Sequence, residues 1–239
     1  MRSWEALPAV PLKRTAPRAA EFIACGITDF RAAGRYLQQL PYGRTTGRAD
    51  FAAVLRERRG TCSTKHALLA ALAHEQDMAV VLTLGIYEMH ERNTPGVGVV
   101  LSRYSVAYLP EAHCYLVYEG TRIDITRAGG DGPEPIARFL HEEAIVPEQI
   151  GDDKTTLHQQ FMREWVAREP EIRAVSRSPP YGRSAKPASA RSPRDLALPR
   201  WPLLAALGVG GRHVHVQRAQ WCAPGVPDLV TVATFDQHE

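Results

Sequence analysis

An α+β fold, with one central helix packed on an antiparallel sheet of about four strands, is predicted for this chain by three observations. Residues 62–76, CSTKHALLAALAHEQ, are rich in Ala and Leu and apolar on nearly every side, which is the composition of a buried helix. A series of β-branched and aromatic runs broken by turn residues follows it. Apolar residues at helical spacing flank this block before and after. The chain has 239 residues, 44% of them apolar and 23% charged, enough for one sizeable core rather than two.

Taken in order, residues 1–20 hold three prolines and no clean period, so they read as an irregular lead-in, with order expected from Glu21. From Asp29 to Leu40, Phe30, Ala33, Tyr36, Leu37 and Leu40 recur at helical spacing until Pro41 and Gly43 stop the pattern. The polar loop PYGRTTGR leads to a short helix at Phe51, Val54 and Leu55, which ends before Gly60. Thr61 then caps the central helix. Strands are expected at AVVLTLGIY (79–87), VGVVLSRYSVAYL (97–109), HCYLVYEG (113–120) and TRIDIT (121–126). Surface helices are expected over Glu134 to Glu143 and over Leu157 to Arg168, the latter setting Leu157, Phe161 and Trp165 at i, i+4 and i+8. Residues 21–170 thus form the expected domain, and residues 171–239 an Arg-, Ser- and Pro-rich tail of low order.

Composition excludes several classes. The 18 glycines, 18 prolines and four cysteines fit neither a collagen-like repeat nor a dense disulfide scaffold. No run of about 20 apolar residues is present, so no membrane span is expected. No apolar signal run follows the first Arg, and the four cysteines read as thiols, so a cytoplasmic location is expected. Residues 1–170 carry 20 Lys/Arg against 21 Asp/Glu, a balance that leaves no electrostatic footprint for nucleic acid. Cys25, Cys114 and Cys222 show no metal-ligand spacing, His213 and His215 lack a third ligand, and Gly208, Gly210 and Gly211 lack a following Lys-Ser/Thr. No cofactor and no metal are expected.

Chemistry concentrates at Gly60-Thr61-Cys62-Ser63-Thr64-Lys65-His66. A thiol in the first turn of a helix faces unpaired N–H groups and the positive end of the helix dipole, which stabilise the nucleophilic thiolate. The Cys62 amide can also donate to an oxyanion formed on an attacked carbonyl. Further along, a two-residue turn at Glu119-Gly120 makes Tyr118 oppose Thr121 and Tyr115 oppose Asp124, so His113 lies diagonal to Asp124 on one face. Cys114, Leu116, Ile123 and Ile125 point the other way. The assembled expectation is a Cys62-His113-Asp124 triad: nucleophile, base and orienter. His66 and Lys65 share the helix face of Cys62. A side chain on the same helix runs alongside the thiol instead of meeting it across a cleft, so His66 is assigned positioning or capping and Lys65 support of the thiolate.

With GTCSTKHALLAALA, EAHCYLVY and RIDIT in place, the chain resembles the transglutaminase-like branch of the papain-type cysteine hydrolases and transferases over roughly residues 25–170. LPYGR near Tyr42 and NTPG near Asn93 look like small bacterial members of that superfamily. The resemblance implies a Cys-bearing helix packed on an antiparallel sheet, with Cys62 as nucleophile, His113 as base and Asp124 as orienter. It implies acyl transfer on a peptide or amide substrate by protease, amidase or transamidase chemistry; the alternative is a non-catalytic domain that binds a peptide-like ligand. Papain's second oxyanion donor, a glutamine six residues before the nucleophile, falls here on Arg56.

Overall fold

The computed structural model describes residues 3–127 and 134–168. The chain divides into two units, Met1–Ile172 and Arg173–Glu239, and every described residue belongs to the first. The expected tail, with Cys222, His213 and His215, lies outside the described residues.

The fold is α+β. Helix α1 (Pro17–Ala24) and helix α2 (Phe30–Gln39) precede a short α3 (Ala53–Glu57) and the central α4 (Cys62–Glu75). Strand β1 (Val81–Met89), helix α5 (Gly98–Arg103), strands β2 (Leu109–Tyr118), β3 (Thr121–Ile123) and β4 (Phe139–Ile145), and helix α6 (Asp152–Arg168) complete the order. The four strands form one antiparallel sheet in the order β3-β2-β1-β4.

Helix α4 is apolar on nearly all sides because it is covered on nearly all sides. Leu68, Leu69, Leu72 and Ala73 are buried in one core with Phe22 of α1, Phe30 and Leu37 of α2, and Leu84, Ile86, Cys114 and Leu116 of the sheet. Each fully buried Leu contributes about 1.5–3 kcal/mol relative to exposure. The Asp29 side chain accepts from the Ala32 amide and starts α2.

Three expectations are corrected. Residues 3–20 are not outside the core: Leu7 and Leu12 are buried, α1 begins at Pro17, and the chain around Leu7 approaches α2 so closely that a Cβ on Gly34 would sit 2.3 Å from a Leu7 methyl. Residues 97–109 are not one strand. Glu91 accepts from the Gly96 and Gly98 amides, capturing backbone donors at the start of α5, and Val97 and Leu101 turn inward. Local capping overrides the β-propensity of Val-Gly-Val-Val there; only the end of the segment enters β2. The Glu134 to Glu143 helix is replaced by β4, which pairs with the otherwise open edge of β1. Its Ala, Leu and Glu content suits a helix, but tertiary pairing decides, and the carboxylates of Glu142 and Glu143 protect an edge strand.

On the sheet face away from α4, Tyr115 stacks on Phe139 with centroids 4.9 Å apart. Phe139 occupies the space above Gly85, where a Cβ would lie 2.3 Å from its ring, and Gly85 is directly opposite His113 in the β1–β2 pairing. Among the described residues no helix is long and apolar enough to cross a membrane.

Candidate active site

Cys62 is the first residue of α4 and is almost fully buried. Its position is set from both sides. Upstream, Gly60 donates to the Pro41 carbonyl and accepts from the Gly43 amide, pairing the loop at Tyr42 alongside the helix start. A side chain at Gly60 would meet Lys65 and Thr64 at 2.9 and 3.0 Å, so only glycine fits that approach. Downstream, Thr61 and Thr64 exchange side-chain and backbone hydrogen bonds as a capping box, an arrangement worth about 1 kcal/mol to the helix.

The hairpin supplies the partners in the expected register. Glu119 and Gly120 both adopt positive φ, 47° and 73°, the turn whose twist matches the flanking strands. Tyr118 pairs with Thr121 and Leu116 with Ile123, so Asp124 emerges beside His113. Asp124 Oδ2 lies 2.8 Å from His113 Nε2, and its Oδ1 accepts from the Thr126 amide. Ser3 donates to the Asp124 carbonyl, which ties the N-terminal segment to the site. With Nε2 engaged by Asp124, the other ring nitrogen of His113 is the one left for the Cys62 thiol, and the two groups act on each other's protonation, the ring lowering the thiol and the thiolate raising the ring. The structure therefore brings Cys62, His113 and Asp124 together.

The electrostatics follow from these contacts. Burial pushes the Cys62 thiol up, but the Lys154 ammonium, His113 and the Cys114 amide outweigh it and hold the thiol at about 6. Burial disfavours a charged His113, yet Asp124 and Cys62 raise it well above the ordinary imidazole value. Asp124 is pushed up by burial and held well below the carboxylate range chiefly by His113. A thiolate beside an imidazolium results.

His66 and Lys65 are fully buried and differently engaged. The His66 Nδ1–H donates to the Cys62 carbonyl at 2.6 Å, and its Nε2 accepts from the Ile125 amide at 2.8 Å. Both nitrogens are thus spent in the neutral form, and desolvation lowers the group to about 4. It clips the first turn of α4 to the chain leaving β3. Lys65 Nζ donates to the carbonyls of Leu40 and Thr126 as a buried strut while still facing the Cys62 charge; burial brings it down to about 8.

The neighbour that sequence reasoning missed is Lys154, in the first turn of α6, whose Nζ donates to Ser63 Oγ at 2.7 Å. Written as Asp-Asp-Lys-Thr-Thr, that turn reads as a solvated helix start and carries no signal for a site. Two tyrosines were also missed as site residues. Tyr87 meets the His113 ring edge-on at 6.1 Å, and Tyr42 lies under the Arg127 guanidinium at 5.0 Å, its phenol pushed up by burial and then by the Cys62 charge. Arg56 is exposed and pairs with Asp50 at 2.8 Å, so the position of papain's glutamine serves a surface ion pair. Cys114 is buried with its thiol pushed up by desolvation, and Cys25 is exposed. Among the described residues no group of three or more His, Cys, Asp or Glu could hold a metal ion. Comparisons with protein-family models, curated proteins and solved structures give no match to this chain.

Proposed function

We propose that this protein is a thiol-dependent acyl-transfer enzyme of the papain and transglutaminase-like kind, acting on an amide or peptide carbonyl. The observation that carries the reading is a thiol at the first residue of a helix, held at about 6 in part by an imidazole that a carboxylate grips at 2.8 Å. The Cys62 thiolate attacks the carbonyl carbon, forming a C–S bond and an oxyanion within reach of the Cys62 amide. The His113 imidazolium then gives its proton to the departing amine as the C–N bond breaks, leaving a thioester. Water or a second amine attacks that thioester with His113 as base, and the thiolate leaves. Asp124 keeps the ring in the orientation and tautomer that both steps need.

The test is a screen of amide and amine substrates with wild type and Cys62→Ala, beside iodoacetamide labelling at pH 6 and peptide mapping. Turnover that vanishes in Cys62→Ala, with Cys62 labelled far faster than Cys25 or Cys114, is the expected result. Slow and equal labelling of the three thiols would overturn the acyl-transfer reading in favour of a domain that only binds.

A further inference from the structure

We propose that Lys154 is a positioning residue that acts through Ser63 to hold Cys62 as a thiolate, making α6 a working part of the nucleophile. The proposal rests on reading Cys62 as an ionised nucleophile and adds a second cation to it. The geometry is a relay of two contacts: the Lys154 ammonium donates to Ser63 Oγ at 2.7 Å, and that oxygen lies 3.9 Å from Cys62 Sγ. Because Ser63 Oγ accepts from the ammonium, its own proton is left for the two thiols beside it, Cys62 and Cys114, and a cation behind a hydroxyl strengthens the bond it donates.

The lysine is held where it is by the docking of its helix. His158, one turn further along α6, donates from its ring to the Pro110 carbonyl of β2 at 2.9 Å, and Trp165 packs against Tyr108. At the other end, Gly151 passes so near Ala49 that a Cβ there would lie 2.9 Å from the alanine methyl.

The charges around the two groups are few and mixed. Sulfur is faced by His113 and Cys114 from β2, by Tyr42 from the loop and Tyr87 from β1, by Lys65 on its own helix, and by Lys154 from α6. Lys154 is in turn faced by the two thiols, by Glu111 of β2 and by Arg48. Lys65 keeps its charge but is fixed by two carbonyls, so Lys154 is the cation that reaches the sulfur through a hydroxyl.

The experiment is the pH dependence of iodoacetamide labelling at Cys62, followed by peptide mapping from pH 5 to 9 in wild type, Lys154→Met, Lys154→Arg and Ser63→Ala, with thermal melting of each. In wild type the midpoint is expected near 6. In Lys154→Met it rises by about one unit, so labelling at pH 6 slows roughly fivefold while the rate at pH 9 is kept. Lys154→Arg restores the midpoint, and Ser63→Ala falls between. An unchanged midpoint in folded Lys154→Met overturns the proposal; should that variant fail to fold, an unchanged midpoint in Ser63→Ala does so. A wild-type midpoint in the ordinary thiol range would instead overturn the acyl-transfer reading, whatever Lys154 does.

Discussion

His66 and His113 are two buried imidazoles with ring centroids 6.2 Å apart, one on α4 and one on β2, and both lie close to Asp124. They are pushed in opposite directions. His66 has both nitrogens bound to backbone groups in an arrangement that only the neutral ring satisfies, so desolvation wins and it is lowered to about 4. His113 meets a carboxylate on one side and a thiol on the other, so the same burial is overridden and its proton is held. Depth of burial therefore does not assign the roles. What each ring is asked to accept or donate does, and the helix histidine comes out as a clip while the strand histidine carries the proton.

The largest effect that would break this contrast is loss of turnover in His113→Ala. A fall of about 10³-fold or more in steady-state rate is expected with the melting temperature little changed. Labelling of Cys62 at pH 6 falls far less, because Lys154 still faces the sulfur. If His113→Ala turns over normally, the two rings have been assigned the wrong way round.

Asp124→Asn is expected next, at about a hundredfold in turnover, since the amide keeps the size of the carboxylate but cannot stabilise the imidazolium. The alkaline limb of the wild-type pH–rate profile, set by loss of the His113 proton, moves to lower pH in this variant, because Asp124 is the largest influence holding that proton.

The smallest catalytic effect belongs to His66→Gln, less than tenfold, because a glutamine amide can reproduce one donor and one acceptor. Its signature is in stability. A base whose folded value is lowered leaves the unfolded chain holding more protons between about 4 and 6.5, so stability declines as pH falls through that window. Just below 6.5 His113 adds a small slope of opposite sign, because the unfolded imidazole is still taking up its proton, and Cys62, held at about 6, adds a small one of the same sign. Chemical denaturation of wild type should show a loss of about 3 kcal/mol from pH 6.5 to 4, and His66→Gln should flatten it. Parallel slopes in the two proteins would show that the clip is not the acid-sensitive element.

These contrasts also sort what could be read from the sequence. His113 and Asp124 were legible because a tight turn converts eleven residues of spacing into one shared face, and Cys62 was legible because Gly60 and Thr61 announce a helix start. The helix spacing of α2 and α4 carried their packing. Strand β4 was illegible since its helix-forming residues adopt the sheet only when β1 offers an edge. Helix α5 was illegible since Glu91, five and seven residues away from the amides it binds, decides against the β-propensity of the valines. Leu7 and Leu12 lie in a proline-broken stretch with no period, yet both are buried. Lys154 reaches Ser63 across 91 positions of chain, a pairing that no local pattern encodes.

The β2–β3 hairpin has a consequence for how this protein tolerates changes of length. Because side chains alternate faces, adding or deleting one residue within the paired strands between His113 and Asp124 would swap the carboxylate with Ile123 or Ile125 and leave an apolar group beside the imidazole. A change of two residues would restore the face but carry the carboxylate about 7 Å along the strand, out of hydrogen-bonding reach. The two strand stretches are therefore closed to insertions and deletions of either parity, while the turn stays open to exchange of residue type: Glu119→Asn or Glu119→Asp suits the positive φ at that position at least as well as the glutamate now there. The hairpin behaves as a fixed-length cassette, with base and orienter inherited together on twelve consecutive residues, 113–124, of which the turn is the freely editable part.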